Sequence, residues 1–216
     1  MHFFQHKDGV LYGEETSVEA IAGEVGTPFY LYSYRTLVRH YQAFDEAFKG
    51  LPHLICYSAK ANSNLAVLRT FINLGSGVDV VSGGELFRAL HAGADPARIV
   101  YSGVGKGEDE IRYALQQGIL MFNVESYQEL HCINDIADTM GIQAPISLRI
   151  NPDIDPQTHP YIATGMKEAK FGIAIDQALE WYREAKALPH LTIKGVSCHL
   201  GSQLTEIGPF VEALKR

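Results

Sequence analysis

The sequence is short of the features that would exclude or fix a class at once. Its 216 residues hold three cysteines, one tryptophan and no run of basic residues. With 18 Lys and Arg against 25 Asp and Glu, the formal net charge is -7, which argues against a nucleic-acid or anionic-membrane partner, because affinity for either comes mainly from clustered cations. No stretch approaches the roughly 18 apolar residues of a membrane span, and the opening MHFFQHKDGVLYGEE lacks the continuous apolar core of a secretory leader. Cys56, Cys132 and Cys198 form neither a C-x-x-C pair nor a Cys/His metal spacing, and they read as reduced core residues of a cytoplasmic protein. No G-x-G-x-x-G follows a strand-like segment, and GVGKGEDE departs from the order of a phosphate-binding P-loop, so a nucleotide site loses its main support.

What is present is a repeat. Short apolar segments rich in β-branched and aromatic residues recur as HLICYSA, GVDVVS, RIVYSG, GILMFNV, PISLRI and IKGVSCHL. Taking Ile55, Val80, Val100, Met121 and Leu148 as midpoints gives intervals of 25, 20, 21 and 27 residues, with Val196 a further 48 on. Between them lie helical patterns. Ser82 to Glu85 and Ser126 to Glu129 have capping-box spacing. Leu37, Tyr41, Phe44 and Phe48 make one predicted helix face, and Leu130, Ile133, Ala137 and Met140 another. Gly75, Gly93, Gly118 and Gly141 stand just past periodic stretches, where a left-handed residue ends a helix at least cost. Apolar strands joined by helical crossovers predict an α/β fold with a parallel sheet, and the pattern leans to a (β/α)8 barrel rather than an open doubly wound sheet. Six strand-helix units are readable, whereas a closed barrel takes eight in about 250 residues. The chain is therefore expected to be part of a larger protein, with residues 31–216 forming an incomplete barrel.

In such barrels the chemistry sits where strands give way to the loops that follow them. Lys60 and His199 hold that position. Alternation puts Leu54, Cys56, Ser58 and Lys60 on one face of the first strand, and Ile193, Gly195, Ser197 and His199 on one face of the sixth. Partial desolvation at an apolar mouth favours a neutral, nucleophilic amine suited to Schiff-base chemistry; the competing reading of Lys60 is a side chain that snorkels to solvent at a strand end. For His199 the plainer reading is a satisfied core or loop histidine. Arg149 shares a strand face with Asn151 and calls for an anionic partner. Asp79 lies among valines and reads as one half of a structural salt bridge or as a site group. Asp153 and Asp155 lack the glycine and distal glutamate of a calcium loop, so a solvated loop is preferred to a metal site.

Taken together, YSAKANSN, GVDVVSGGEL, IVYSGVGK, FNVES, LRINPDIDPQTHPYIATGMKEAKFGI and VSCHLGSQ, in this order over nearly the whole chain, resemble the N-terminal part of the diaminopimelate decarboxylases. These are pyridoxal-phosphate enzymes of the alanine-racemase-like barrel class. The lysine motif alone is shared with ornithine and arginine decarboxylases; the segment from Asn151 to Gly172 is more particular. The resemblance implies that Lys60 carries the cofactor as a Schiff base, that His199 lies against its ring, and that Ser202, with Gly201 beside it, meets its phosphate. It further matches Asp79 and Arg149 to cofactor-side residues. The implied reaction converts meso-2,6-diaminopimelate to L-lysine and carbon dioxide in a cytoplasmic homodimer, with no metal. Residues 1–30 would belong to a second, β-rich domain. The sequence departs mildly from the family at Ser58-Ala59 and at KEA before KFGI. The family's glycine-rich phosphate loop, its EPGR glutamate, its substrate-holding arginine and tyrosine and its dimer-donated cysteine would all lie beyond Arg216, so the 216 residues alone are expected not to turn over; a non-catalytic cofactor-binding protein is the alternative.

Overall fold

The computed structural model describes residues 2–154 and 171–216. Its first element is a hairpin in which β1 (Phe4–Lys7) and β2 (Val10–Gly13) pair antiparallel with Lys7 opposite Val10. Asp8 and Gly9 between them both have positive φ, 51° and 82°, the backbone that a two-residue Asp-Gly turn supplies and that matches the twist of the strands. β3 (Thr16–Ser17) adds to β2, and Ser17 caps α1 (Val18–Val25). The small sheet is fastened to α2 (Tyr34–Ala47) through Glu14, whose Oε1 accepts from the Ser33 hydroxyl at 2.7 Å and from the Arg35 backbone N–H at 2.8 Å. These bonds, the backbone one foremost, hold the Glu14 carboxyl below its usual range.

Six strands then run parallel in chain order: β4 (Cys56–Ser58), β5 (Gly77–Val80), β6 (Ile99–Tyr101), β7 (Met121–Val124), β8 (Ala144–Asn151) and, after the short β9 (Ile173–Ala174), β10 (Leu191–Ser197). Each pairs with its predecessor in the series, while β9 pairs with the end of β8. Sequential order is what a barrel wall requires, because an open doubly wound sheet reverses order part-way. Between the strands lie α3 (Leu65–Asn73), α4 (Gly83–His91), α5 (Glu108–Gln117), α6 (Tyr127–Met140) and α7 (Ala178–Ala187), with α8 (Gly208–Lys215) last.

Strand parity organises everything else. Val78, Val80, Ile99, Tyr101, Phe122, Val124, Ile146 and Leu148 point outward and are buried with Leu68, Leu86, Ile111, Leu130 and Ile133 of the helices. The alternate residues point into the barrel. Ser82 and Ser126 are N-caps as their spacing predicts, accepting from the backbone N–H of Glu85 and Glu129. The return bond of each box differs from the usual one: Glu85 and Glu129 accept from the N–H of Val81 and Glu125, one residue before the cap. Gly75, Gly93, Gly118 and Gly141 all have positive φ, between 65° and 98°.

The predicted faces fare unequally. In α6, Leu130, Ile133 and Ala137 are fully covered. In α2 no residue is buried; Leu37 and Tyr41 are half-covered, while Phe44 and Phe48 are exposed and meet edge to face at 5.2 Å. The cysteine expectation also needs correction: Cys56 is half-buried, Cys132 is half-buried against the core, and Cys198 is exposed just beyond β10, whose residues Lys194, Gly195 and Val196 are exposed as well. Burial first, and Asp79 second, push the Cys56 thiol up to about 11. No described helix is long and apolar enough to cross a membrane.

Candidate active site

The inward parity of the strands brings the polar residues to one end. Lys60 lies just beyond β4, in a single 3-10 turn (Ala59–Ala61) rather than in the strand itself. Asp79 comes from β5, Ser102 follows β6, Asn123 belongs to β7 and Glu125 follows it, Arg149 comes from β8, Ser197 ends β10, and Cys198 and His199 follow it. All of these line one cavity of about 490 Å³ together with Ser202, Val81, Val104 and Phe171. It opens at the C-terminal ends of the parallel strands, where barrel enzymes do their chemistry.

Each charged group on the wall has an identifiable state. Asp79 forms no salt bridge among the described residues, contrary to the structural pairing considered for it. Its partners are hydroxyls: Oδ2 accepts from Ser58 at 3.0 Å and Oδ1 from Ser102 at 2.6 Å. Arg149 has the anionic partner that a strand arginine needs. Its Nη1 donates to Glu125 Oε2 at 2.6 Å, with side chains only 12% and 2% exposed, and the other Glu125 oxygen accepts from the Gly103 N–H at 2.8 Å. Arg149 Nε is buried with no hydrogen-bond partner among the described residues. His199 is driven below the usual imidazole range, first by burial and then by the positive charges of Arg149 and Lys60; the neutral ring is the favoured form. Lys60 itself is exposed, so the described residues do not supply the desolvation expected of it. Gly201, adjacent to Ser202, does not line the cavity.

Behind the wall lies a second set of charges. Lys106 is wholly buried, and its three ammonium hydrogens are matched by Gly103 O at 2.7 Å, Asn123 O at 2.8 Å and Glu129 Oε1 at 2.6 Å. It therefore ties the loop after β6, which carries Ser102, to β7 and the first turn of α6, which flank Glu125. Asn151 does the same for β8 and β9, with Nδ2 donating to Phe171 O at 2.6 Å. Asp153 is at the surface, 3.6 Å from Arg216; Asp155 and the rest of the segment to residue 170 lie outside the described residues.

Sequence reasoning missed Ser102, Asn123, Glu125 and Lys106. A signal existed for the first three, since MFNVE alternates apolar and polar residues and Ser102 has the inward parity of Val100. Lys106 had none: nothing local in GVGKGEDE distinguishes a buried lysine from an exposed one.

Residues 34–216 match the family model described as pyridoxal-dependent decarboxylase, pyridoxal binding domain. The chain belongs to this family. Among curated relatives, the diaminopimelate decarboxylase of Vibrio cholerae is 53% identical over the whole chain and 52% of its own length, and that of Haemophilus influenzae is likewise 53% identical. Of solved structures, the Helicobacter pylori diaminopimelate decarboxylase complexed with L-lysine has a TM-score of 0.87 at 50% identity, covering 90% of this chain and 50% of that one. The chain thus spans about half the length of the relatives it matches. The lysine/ornithine decarboxylase of Vibrio vulnificus complexed with putrescine is 26% identical, with a TM-score of 0.75.

Proposed function

We propose that the protein carrying this chain decarboxylates meso-2,6-diaminopimelate to L-lysine and carbon dioxide, with pyridoxal phosphate held covalently on Lys60. The observation that carries the reading is the convergence of Lys60, Asp79, Arg149, His199 and Ser202 in one cavity, in a chain half identical to diaminopimelate decarboxylases along its whole length. The donor set suits the cofactor: an exposed amine for its aldehyde, and a guanidinium and a serine hydroxyl lining the same cavity for its anionic oxygens. A cavity of about 490 Å³ lies within the ordinary range for such ligands. The cofactor supplies an electron sink for the pair left when a carboxylate departs as carbon dioxide. The chain's own residues do the rest. Lys60 would hold the group through its exposed side-chain amine. His199, kept neutral, offers a flat uncharged ring to the site instead of a second cation. Arg149, fixed from behind by Glu125, brings positive charge to one wall, and Ser202 an adaptable hydroxyl.

We assign residues 1–30 to a second, β-rich domain and expect a cytoplasmic homodimer that takes an amino acid, with neither nucleic acid nor membrane as partner; the three unpaired cysteines agree with a reducing compartment. Decarboxylation of ornithine or arginine is the weaker reading, given the fall from 53% to 26% identity between the two groups of relatives. The test is lysine release from meso-diaminopimelate by the intact protein, with ornithine and arginine as competitors. Lys60→Ala should remove both the release and the visible absorbance of bound cofactor. A mutant that keeps that absorbance would exclude Lys60 as the anchor, and faster release from ornithine would shift the substrate.

A further inference from the structure

Six polar side chains, one from each main parallel strand or its immediate end, form a single run of hydrogen bonds across the barrel interior. Ser58 Oγ lies 3.0 Å from Asp79 Oδ2, and Ser102 Oγ 2.6 Å from Asp79 Oδ1. Asn123 Nδ2 is 2.9 Å from Ser102 Oγ, Ser147 Oγ is 2.6 Å from Asn123 Oδ1, and the Ser147 and Ser197 hydroxyls are 3.2 Å apart. A carboxylate only accepts and a serine has one hydrogen to give. Ser58 and Ser102 therefore both spend theirs on Asp79, which leaves Ser102 to accept from the Asn123 amide. Ser147 spends its hydrogen on Asn123, so its bond to Ser197 is made with the Ser197 hydrogen. From β10 to β6 every donor points toward Asp79, and Ser58 closes on it from the other side.

The belt has a consequence for Lys60, which stands two residues beyond Ser58, the register partner of Asp79. Among the described residues, the charged and titratable groups that line the cavity besides Lys60 are Asp79 from β5, Glu125 after β7, Arg149 from β8, and Cys198 and His199 after β10. Only two of these are carboxylates. Both are held in place by one hydrogen bond to each oxygen, Asp79 by two hydroxyls and Glu125 by Arg149 and the Gly103 N–H. No ion pair or hydrogen bond ties the Lys60 ammonium to any described residue. A loose carboxylate in the same cavity would gain a charge-assisted bond by turning to that amine, and a paired ammonium holds its proton and does not attack a carbonyl.

We infer that the belt Ser58–Asp79–Ser102–Asn123–Ser147–Ser197 keeps the Asp79 carboxylate turned away from Lys60 and so leaves the amine unpaired for the carbonyl it must capture. Ser58, Ser102 and Asn123 are positioning residues in this scheme. The inference rests on Lys60 being the cofactor anchor, and the experiment separates the two ideas. The intact protein is mixed with pyridoxal phosphate, reduced with borohydride at timed intervals over a range of pH, and the label on Lys60 is quantified by peptide mass spectrometry. In Ser102→Ala, and separately in Ser58→Ala, labelling should slow about ten- to a hundredfold, the worth of roughly one charge-assisted hydrogen bond. The pH of half-maximal labelling should also move upward, which a loss of packing would not produce. Ser102→Thr, which keeps the hydroxyl, should label within about twofold of the unaltered protein on the same scale. Because Ser58 lies at one end of the belt, Ser58→Ala leaves the other bonds intact and serves if Ser102→Ala fails to fold. Labelling at unchanged rate and pH in the alanine variants overturns the inference alone. An unaltered protein that takes no label on Lys60 overturns the anchor assignment and the inference with it.

Discussion

Lys106→Met tests whether the buried charges behind the cavity hold the loops together. The substitution keeps the length of the side chain and removes its charge. Lys106 has no exposed side-chain surface and its partner Glu129 is 9% exposed, so neither group has water to fall back on. Three hydrogen bonds disappear, leaving the carbonyls of Gly103 and Asn123 and one oxygen of Glu129 without that donor. Breaking a buried pair on one side costs about 3–5 kcal/mol, at the upper end of single-site effects. The loss should depend on pH with a definite sign. Burial already raises the Glu129 carboxyl, and the attraction of Lys106 is the largest influence opposing that rise. Without the lysine the carboxyl rises further. A carboxyl raised in the folded state binds protons there that the unfolded chain has released, so stability falls as pH increases from the ordinary carboxylate value to the raised one. The difference between mutant and unaltered protein in urea denaturation should therefore be large at pH 7 and shrink toward pH 5. The double change Lys106→Met, Glu129→Leu should recover part of the loss at neutral pH, because the stranded carboxylate is gone. A deficit below about 1 kcal/mol at pH 7, or one that does not relax on acidification, would refute the reasoning.

Other perturbations test other layers. The His199 ring should titrate with an NMR midpoint below 6.5, and Arg149→Met should raise it by removing one of the cations that depress it; a midpoint at or above 6.5 in the unaltered protein would contradict the neutral-ring assignment. Leu130→Ala empties a fully buried position between α6 and the sheet and should cost about 2–5 kcal/mol in chemical denaturation. Ser126→Ala removes the acceptor for the Glu129 N–H at the start of α6 and should cost about 1 kcal/mol, with Ser126→Asp close to neutral.

Much of the fold was legible because it is local. The spacing of apolar segments gave the strand order, since parallel neighbours joined by helices come in sequence. Ser82, Ser126, Gly118 and Gly141 marked helix ends because capping is a property of a few adjacent residues. The short β9 escaped notice: two residues carry no periodicity. The Asp8-Gly9 hairpin carries a local turn signal, but it lies outside the repeat of strands and helices that marks the barrel. For the site, Lys60, His199, Asp79, Arg149 and Ser202 could be singled out by strand-end position and by resemblance. Their partners could not. Glu125 is 24 residues from Arg149, and Lys106 is 23 from Glu129. Whether such charges are buried together is decided by how neighbouring strands align, a tertiary quantity that no short segment records. The exposed Phe44 and Phe48 show the same limit from the other side, for an amphipathic helix states which face is apolar but not what covers it.

The parity of the strands divides the labour of this chain between alternate residues. Outward positions answer to packing volume and inward ones to hydrogen-bond direction, so two neighbours such as Phe122 and Asn123 are under unrelated demands although they share a peptide bond. A full substitution scan across β5 to β8 should show tolerance oscillating with a period of two: outward sites accepting apolar exchanges and rejecting polar ones, inward sites the reverse. Stability can thus drift at one set of residues without touching the other, which is how a barrel wall can be rebuilt around an unchanged site.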